Sequence, residues 1–194
     1  MSKEPTKALV RKKRKLIAYS EFWHTANILI KTTEKKPNGW LHQFRAALIF
    51  QAFTFEAALN HIGQLQFGCW NALERSLSPE KKLALISEKL SIQLDFGKAP
   101  WQILSQLLQY RNAIAHGKTK MLEESYEEEV REYFDDQFFK FTESDWEKFA
   151  TKANALKVKK DLRMAVEQLF DACGIADEIP FMLGGQEGSS SIIE

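Results

Sequence analysis

Between Trp40 and Phe67 almost every side of a helix would be apolar: Phe44, Ala47, Leu48, Phe50, Phe53, Phe55, Ala58, Leu59, Ile62 and Leu65 leave no wide polar face. A surface helix keeps one polar side, whereas a helix that is apolar all round has to sit inside a bundle. The spacing elsewhere is also helical. Leu16, Phe22, Trp23, Ala26, Ile28 and Leu29 predict a first helix over about 11–33, broken by Lys36-Pro37-Asn38-Gly39. Ser78-Pro79-Glu80 starts another: a serine cap, a proline in the first turn and an acid at the positive end of the dipole. Leu83, Ile86 and Leu90 continue it. A helix follows from about Trp101, then an acidic helical stretch over 121–134 and an ambiguous, short extended piece over 137–141. A last long helix is expected over about 143–172, capped by Thr142 or Ser144 and ended by Gly174. The fold expected is all-α: a helical bundle with two long antiparallel helices and shorter ones packed across them. Its helical domain spans 11–180, between a flexible basic N-terminus at 1–10 and a disordered tail at 181–194, where Gly184-Gly185-Gln186-Glu187-Gly188 runs into three serines.

A formal net charge of +1 hides two opposed patches. Residues 1–15 carry seven basic side chains against Glu4, and residues 123–136 carry eight acidic ones against Arg131. Partners are therefore to be read from the local patches. Cys69 and Cys173 lie far apart, without a CxxC or Cys/His spacing, and read as buried thiols of a reducing compartment. No apolar run reaches the roughly 18 residues of a membrane span. The basic N-terminus lacks the apolar stretch of an export signal. A cytoplasmic protein that uses no membrane is the expectation.

The chemistry is concentrated at the end of the helix that begins at Trp101. Leu104, Leu107, Leu108 and Ala115 follow the spacing of a buried face, and Arg111 falls on that same stripe. A permanent charge there is costly without a partner. Asn112 and His116, four apart, share a neighbouring face, and Gly117 is placed to end the helix. Imidazole titrates near neutrality and moves a proton to or from a ribose oxygen. Guanidinium matches two phosphate oxygens and stabilises charge that builds in a transition state. Asn112 orients either the histidine or the phosphate. Packing alone gives the alternative: Arg111 paired with a buried carboxylate, and His116 at a helix C-terminus that favours cations.

Arg-Asn-x-x-x-His-Gly at the end of an apolar helix, after a long helix bearing Phe55-Glu56-Ala57-Ala58-Leu59-Asn60, resembles the HEPN superfamily (higher eukaryote and prokaryote nucleotide-binding domains). The resemblance covers roughly residues 47–118 and extends to the long C-terminal helix. Arg111, Asn112 and His116 match that family's R-x4-6-H motif position for position. It implies a HEPN-like helical bundle acting as an endoribonuclease without metal or cofactor. The site would be assembled across a homodimer, with the RNA 2′-hydroxyl attacking the adjacent phosphate. It also implies a place in toxin–antitoxin or phage-defence systems, with an antitoxin or other partner protein. Position 118 is Lys118, where a subset of these toxins has a tyrosine that a nucleotidyltransferase modifies, so that control is not implied here. Other members are non-catalytic, which leaves a nucleotide- or RNA-binding module, or a protein-interaction module, as the alternative.

Glu56, Asn60 and Gly63 form a narrow polar line on the apolar central helix. A carboxylate in that setting needs a cation, so Glu56 is expected to pair with Arg111 or to orient His116 through Asn60. Lys118 and the cluster Arg11, Lys12, Lys13, Arg14 and Lys15 are the candidate RNA-binding residues, through attraction to phosphate. His24, His42 and His61 show no metal-binding spacing, and no phosphate-binding glycine loop is present.

Overall fold

A computed structural model describes residues 7–35, 38–125, 142–175 and 179–193. The order of elements is β1 (Lys7–Arg14), α1 (Ala18–Lys35), α2 (Trp40–Gln66), α3 (Trp70–Leu73), α4 (Pro79–Lys89), α5 (Trp101–Ala115), α6 (Asp145–Phe149), α7 (Lys152–Ala172) and β2 (Gln186–Ile193). Among the described residues the chain is a predominantly helical bundle with one two-stranded sheet. Helix α2 is its axis, packing against α1 most extensively and also against α7, α4, α5 and α3. Phe55, Ala58, Leu59 and Ile62 are fully buried along α2. Leu104, Leu107 and Leu108 meet them from α5, and Val158, Leu162, Val166 and Leu169 from α7. Among the described residues the long helices are α1, α2 and α7, and α7 buries a full stripe of its own.

Local signals account for the helix ends. Ser78 Oγ accepts from the Lys81 amide, with Pro79 in the first turn. Ser144 and Glu147 close a reciprocal capping box at α6. Thr151 then accepts from the Asn154 amide and starts α7, which divides the single helix expected over 143–172 into two. Residues 121–125 are not helical, and the rest of the acidic stretch and the piece at 137–141 lie outside the described residues.

Both ends of the chain differ from expectation. The first helix starts at Ala18, and residues 7–14, assigned by sequence to a flexible arm and the start of a helix, form β1. Residues 186–193, read as a disordered tail, form β2. The two strands pair antiparallel from Lys7↔Ile193 to Arg14↔Gln186. Extended residues suit this pairing: Val10 is β-branched, and Lys13 stands opposite Glu187 across the ladder. Gly184 lets the strands converge, since a Cβ there would lie 1.8 Å from the Lys15 carbonyl oxygen. Phe181, just before β2, stacks on Trp23 of α1 at 4.2 Å and ties the C-terminal segment to the bundle.

Gly63 does not belong to a polar line. It is buried, and a Cβ would meet the Trp70 ring at 2.1 Å, so glycine is what lets α3 close onto α2. The thiols also depart from expectation: Cys69 is exposed and Cys173 half-buried, with burial raising the Cys173 pKa above its ordinary value. Among the described residues no helix is long and apolar enough to cross a membrane.

Candidate functional site

Helix α5 presents its last turn at the surface of the bundle. Its buried stripe ends at Tyr110, and Arg111 is half-buried while Ala115 is exposed. Helix α2 supplies Glu56 on the turn that faces α5, and α4 supplies Lys82. The Arg111 Nη2 lies 3.3 Å from Glu56 Oε2, and the Lys82 Nζ lies 3.0 Å from Glu56 Oε1. Each carboxylate oxygen thus faces its own cation. Of the two pairings expected for Glu56, the structure has the one with Arg111.

Asn112 continues the network outward. Its Oδ1 accepts from Arg111 Nη1 at 3.0 Å, and its Nδ2 donates to Glu80 Oε1 at 3.3 Å. Arg111 is held by two acceptors while its side chain stays 26% exposed. His116 is the residue that ends α5, its amide donating to the Asn112 carbonyl at 3.0 Å. The imidazole is exposed and makes no hydrogen bond to another of the described residues.

Arg111, Asn112, His116, Glu56, Asn60 and Lys82 line one open cleft of about 620 Å³, together with Arg75 and Ser78 at the start of α4. Asn60 contributes a buried Oδ1 that has no partner among the described residues. His116 also lines a second, larger cleft of about 1240 Å³ on the other side of the α5 end, shared with Lys118, Lys120, Arg45, Lys148 and Trp146. There Arg45 lies over the Trp146 ring at 4.8 Å and pairs with Glu147 at 3.2 Å. The Glu147 carboxyl is held below its ordinary pKa, first by the Ser144 backbone and side chain and then by Arg45. Tyr110, one residue before Arg111, anchors α5 by donating to the Arg45 carbonyl at 3.3 Å.

The structure therefore gathers Arg111, Asn112, His116, Glu56 and Asn60 in one place and puts Lys118 in the adjoining cleft. Arg11, Lys12, Lys13, Arg14 and Lys15 are not part of either lining. The first four lie on the exposed ribbon strand β1 and Lys15 follows it, with Arg14 paired to Glu21. Two residues that sequence reasoning passed over belong to the site, Lys82 and Glu80. Lys82 was detectable, because it stands on the buried stripe of α4 with Pro79, Leu83 and Ile86, where an unpaired ammonium is costly. Among the described residues no group of three or more His, Cys, Asp or Glu is placed to hold a metal ion. Compared with protein-family models, curated proteins and solved structures, the chain matches none.

Proposed function

We propose that the protein is a metal-independent endoribonuclease of HEPN type, cleaving RNA through Arg111 and His116. The observation that carries this reading is the shared cleft: a partly exposed guanidinium and an exposed imidazole line the same opening. Arg111 binds non-bridging oxygens of the scissile phosphate and stabilises the charge that builds on them. His116 takes the proton of the 2′-hydroxyl, whose oxygen then attacks the neighbouring phosphorus. The bond to the 5′-oxygen breaks, that oxygen takes up a proton, and the products end in a 2′,3′-cyclic phosphate and a 5′-hydroxyl. Asn112 fixes the guanidinium plane. Lys118 and the β1 cluster attract the rest of the strand. A homodimer that sets two such clefts side by side, and a role as a toxin or phage-defence effector held by a partner, complete the proposal.

A second reading is favoured by one specific contact. Glu56 already faces Arg111, and an arginine so paired suits catalysis less and a structural role more, as in a non-catalytic module. Incubating RNA with the protein in the presence of a chelator separates the two. The nuclease reading expects wild-type cleavage that drops about 10²- to 10⁴-fold in His116→Ala, the usual contribution of a positioned proton-transfer group. Binding without cleavage by the wild type would leave the module.

A further inference from the structure

Two cations share one carboxylate in this cleft, and they are not equivalent. Lys82 is the deeper, its side chain 3% exposed, and Glu56 is the partner of its Nζ among the described residues. Arg111 is 26% exposed and has a second acceptor in Asn112. A buried ammonium that loses its counter-charge is strongly destabilised, whereas a guanidinium at the surface can turn to water or to another anion. The charge of Glu56 is therefore committed to Lys82, and its contact with Arg111 is the one free to be exchanged.

We infer that Lys82 is a positioning residue. It retains Glu56 so that Arg111 can leave that carboxylate for a phosphate group of the ligand. The inference rests on the phosphate-binding reading given above and adds the element that resolves its main difficulty, an arginine already paired in the free protein. Without the lysine, Glu56 would hold Arg111 as its sole counter-ion and compete with any incoming phosphate. With it, the cluster of Arg111, Lys82 and Glu56 carries one surplus positive charge, which an anion completes.

Inorganic phosphate titrated into the full chain at constant pH and ionic strength, followed through the C2 proton of His116, measures the exchange, since His116 lines the same cleft. Wild-type protein gives a saturable shift. Lys82→Met weakens phosphate binding about twofold to fivefold, the range of an exposed ion pair. The double variant Lys82→Met/Glu56→Gln returns to about the wild-type affinity, because the competing carboxylate is gone too. A lysine that only supports the fold gives no such recovery, and a double variant as weak as the single overturns the inference. Unchanged affinity in Lys82→Met overturns it while leaving the phosphate site in place. No saturable response in the wild type overturns both. Should Lys82→Met lose its helical circular dichroism, the neutral double variant decides: affinity at the wild-type level supports the exchange and its loss overturns it.

Discussion

At the scale of single residues, the site depends on how Arg111 is held. The fork of donors meets Glu56 on one side and Asn112 on the other, a geometry that a lysine cannot copy. Arg111→Lys is expected to keep the fold and the positive charge yet lose most activity, of the order of 10²-fold in the rate of RNA cleavage. Circular dichroism beside a cleavage time course checks this, and full activity would show that charge alone suffices. Most of this site was legible in the sequence. Arg111 on an apolar stripe required a counter-charge, and Glu56 on the central helix was the available one. Lys82 was less visible, since a lysine beside Lys81 in a charged first turn reads as solvated surface until its place on the stripe of Leu83 and Ile86 is weighed. The exposure of His116 was not legible, because the buried stripe was expected to run on to Ala115 and instead stops one turn earlier.

At the scale of elements, two contacts hold the helices that build the cleft. Gly63 admits the Trp70 ring against α2, and Gly63→Ala is expected to lower stability by about 1–3 kcal/mol through overpacking, read as a fall in the thermal midpoint. An unchanged midpoint would mean that α3 shifts at no cost. Tyr110 anchors α5 just before Arg111, and burial raises its pKa from 10.0 to about 12. The folded state thus favours the neutral phenol. That contribution is fully present below pH 10, the unfolded value, and is lost as pH rises towards about 12. Unfolding measured between pH 10 and about 12 should show a steeper alkaline loss of stability in wild type than in Tyr110→Phe, with those limits set by the same two values. Helix starts were readable because a cap is a local signal: Ser78 and Ser144 announce theirs. The break at Thr151 was missed because apolar periodicity resumes immediately beyond it.

At the scale of the whole molecule, the bundle followed from one helix that is apolar on most sides, and the terminal ribbon did not. Lys7–Arg14 and Gln186–Ile193 form a ladder across nearly the full length of the chain, and no local pattern reports such a pairing. Basic residues before an apolar helix read as its first turn, and a glycine–serine run reads as a tail. The ribbon changes what the basic cluster does, since Arg11, Lys12 and Lys13 stand on an extended, exposed strand. Replacing these three by serine is expected to weaken RNA binding at low salt and to flatten its salt dependence, by a slope of about 0.7 for each phosphate no longer neutralised. The rate of the chemical step under saturating RNA should not change. A salt slope equal to that of wild type would remove the ribbon from the RNA path. In the mechanism proposed, Arg111 and His116 turn an RNA 2′-oxygen against its own phosphate. The sharpest test is end-group analysis of one oligoribonucleotide, unmodified or 2′-O-methylated throughout, after incubation with chelator-treated protein. Such a mechanism predicts 2′,3′-cyclic phosphate and 5′-hydroxyl ends from the unmodified strand alone, formed at least about 10²-fold more slowly by His116→Ala; cutting of the methylated strand, or equal cutting by the variant, would refute it.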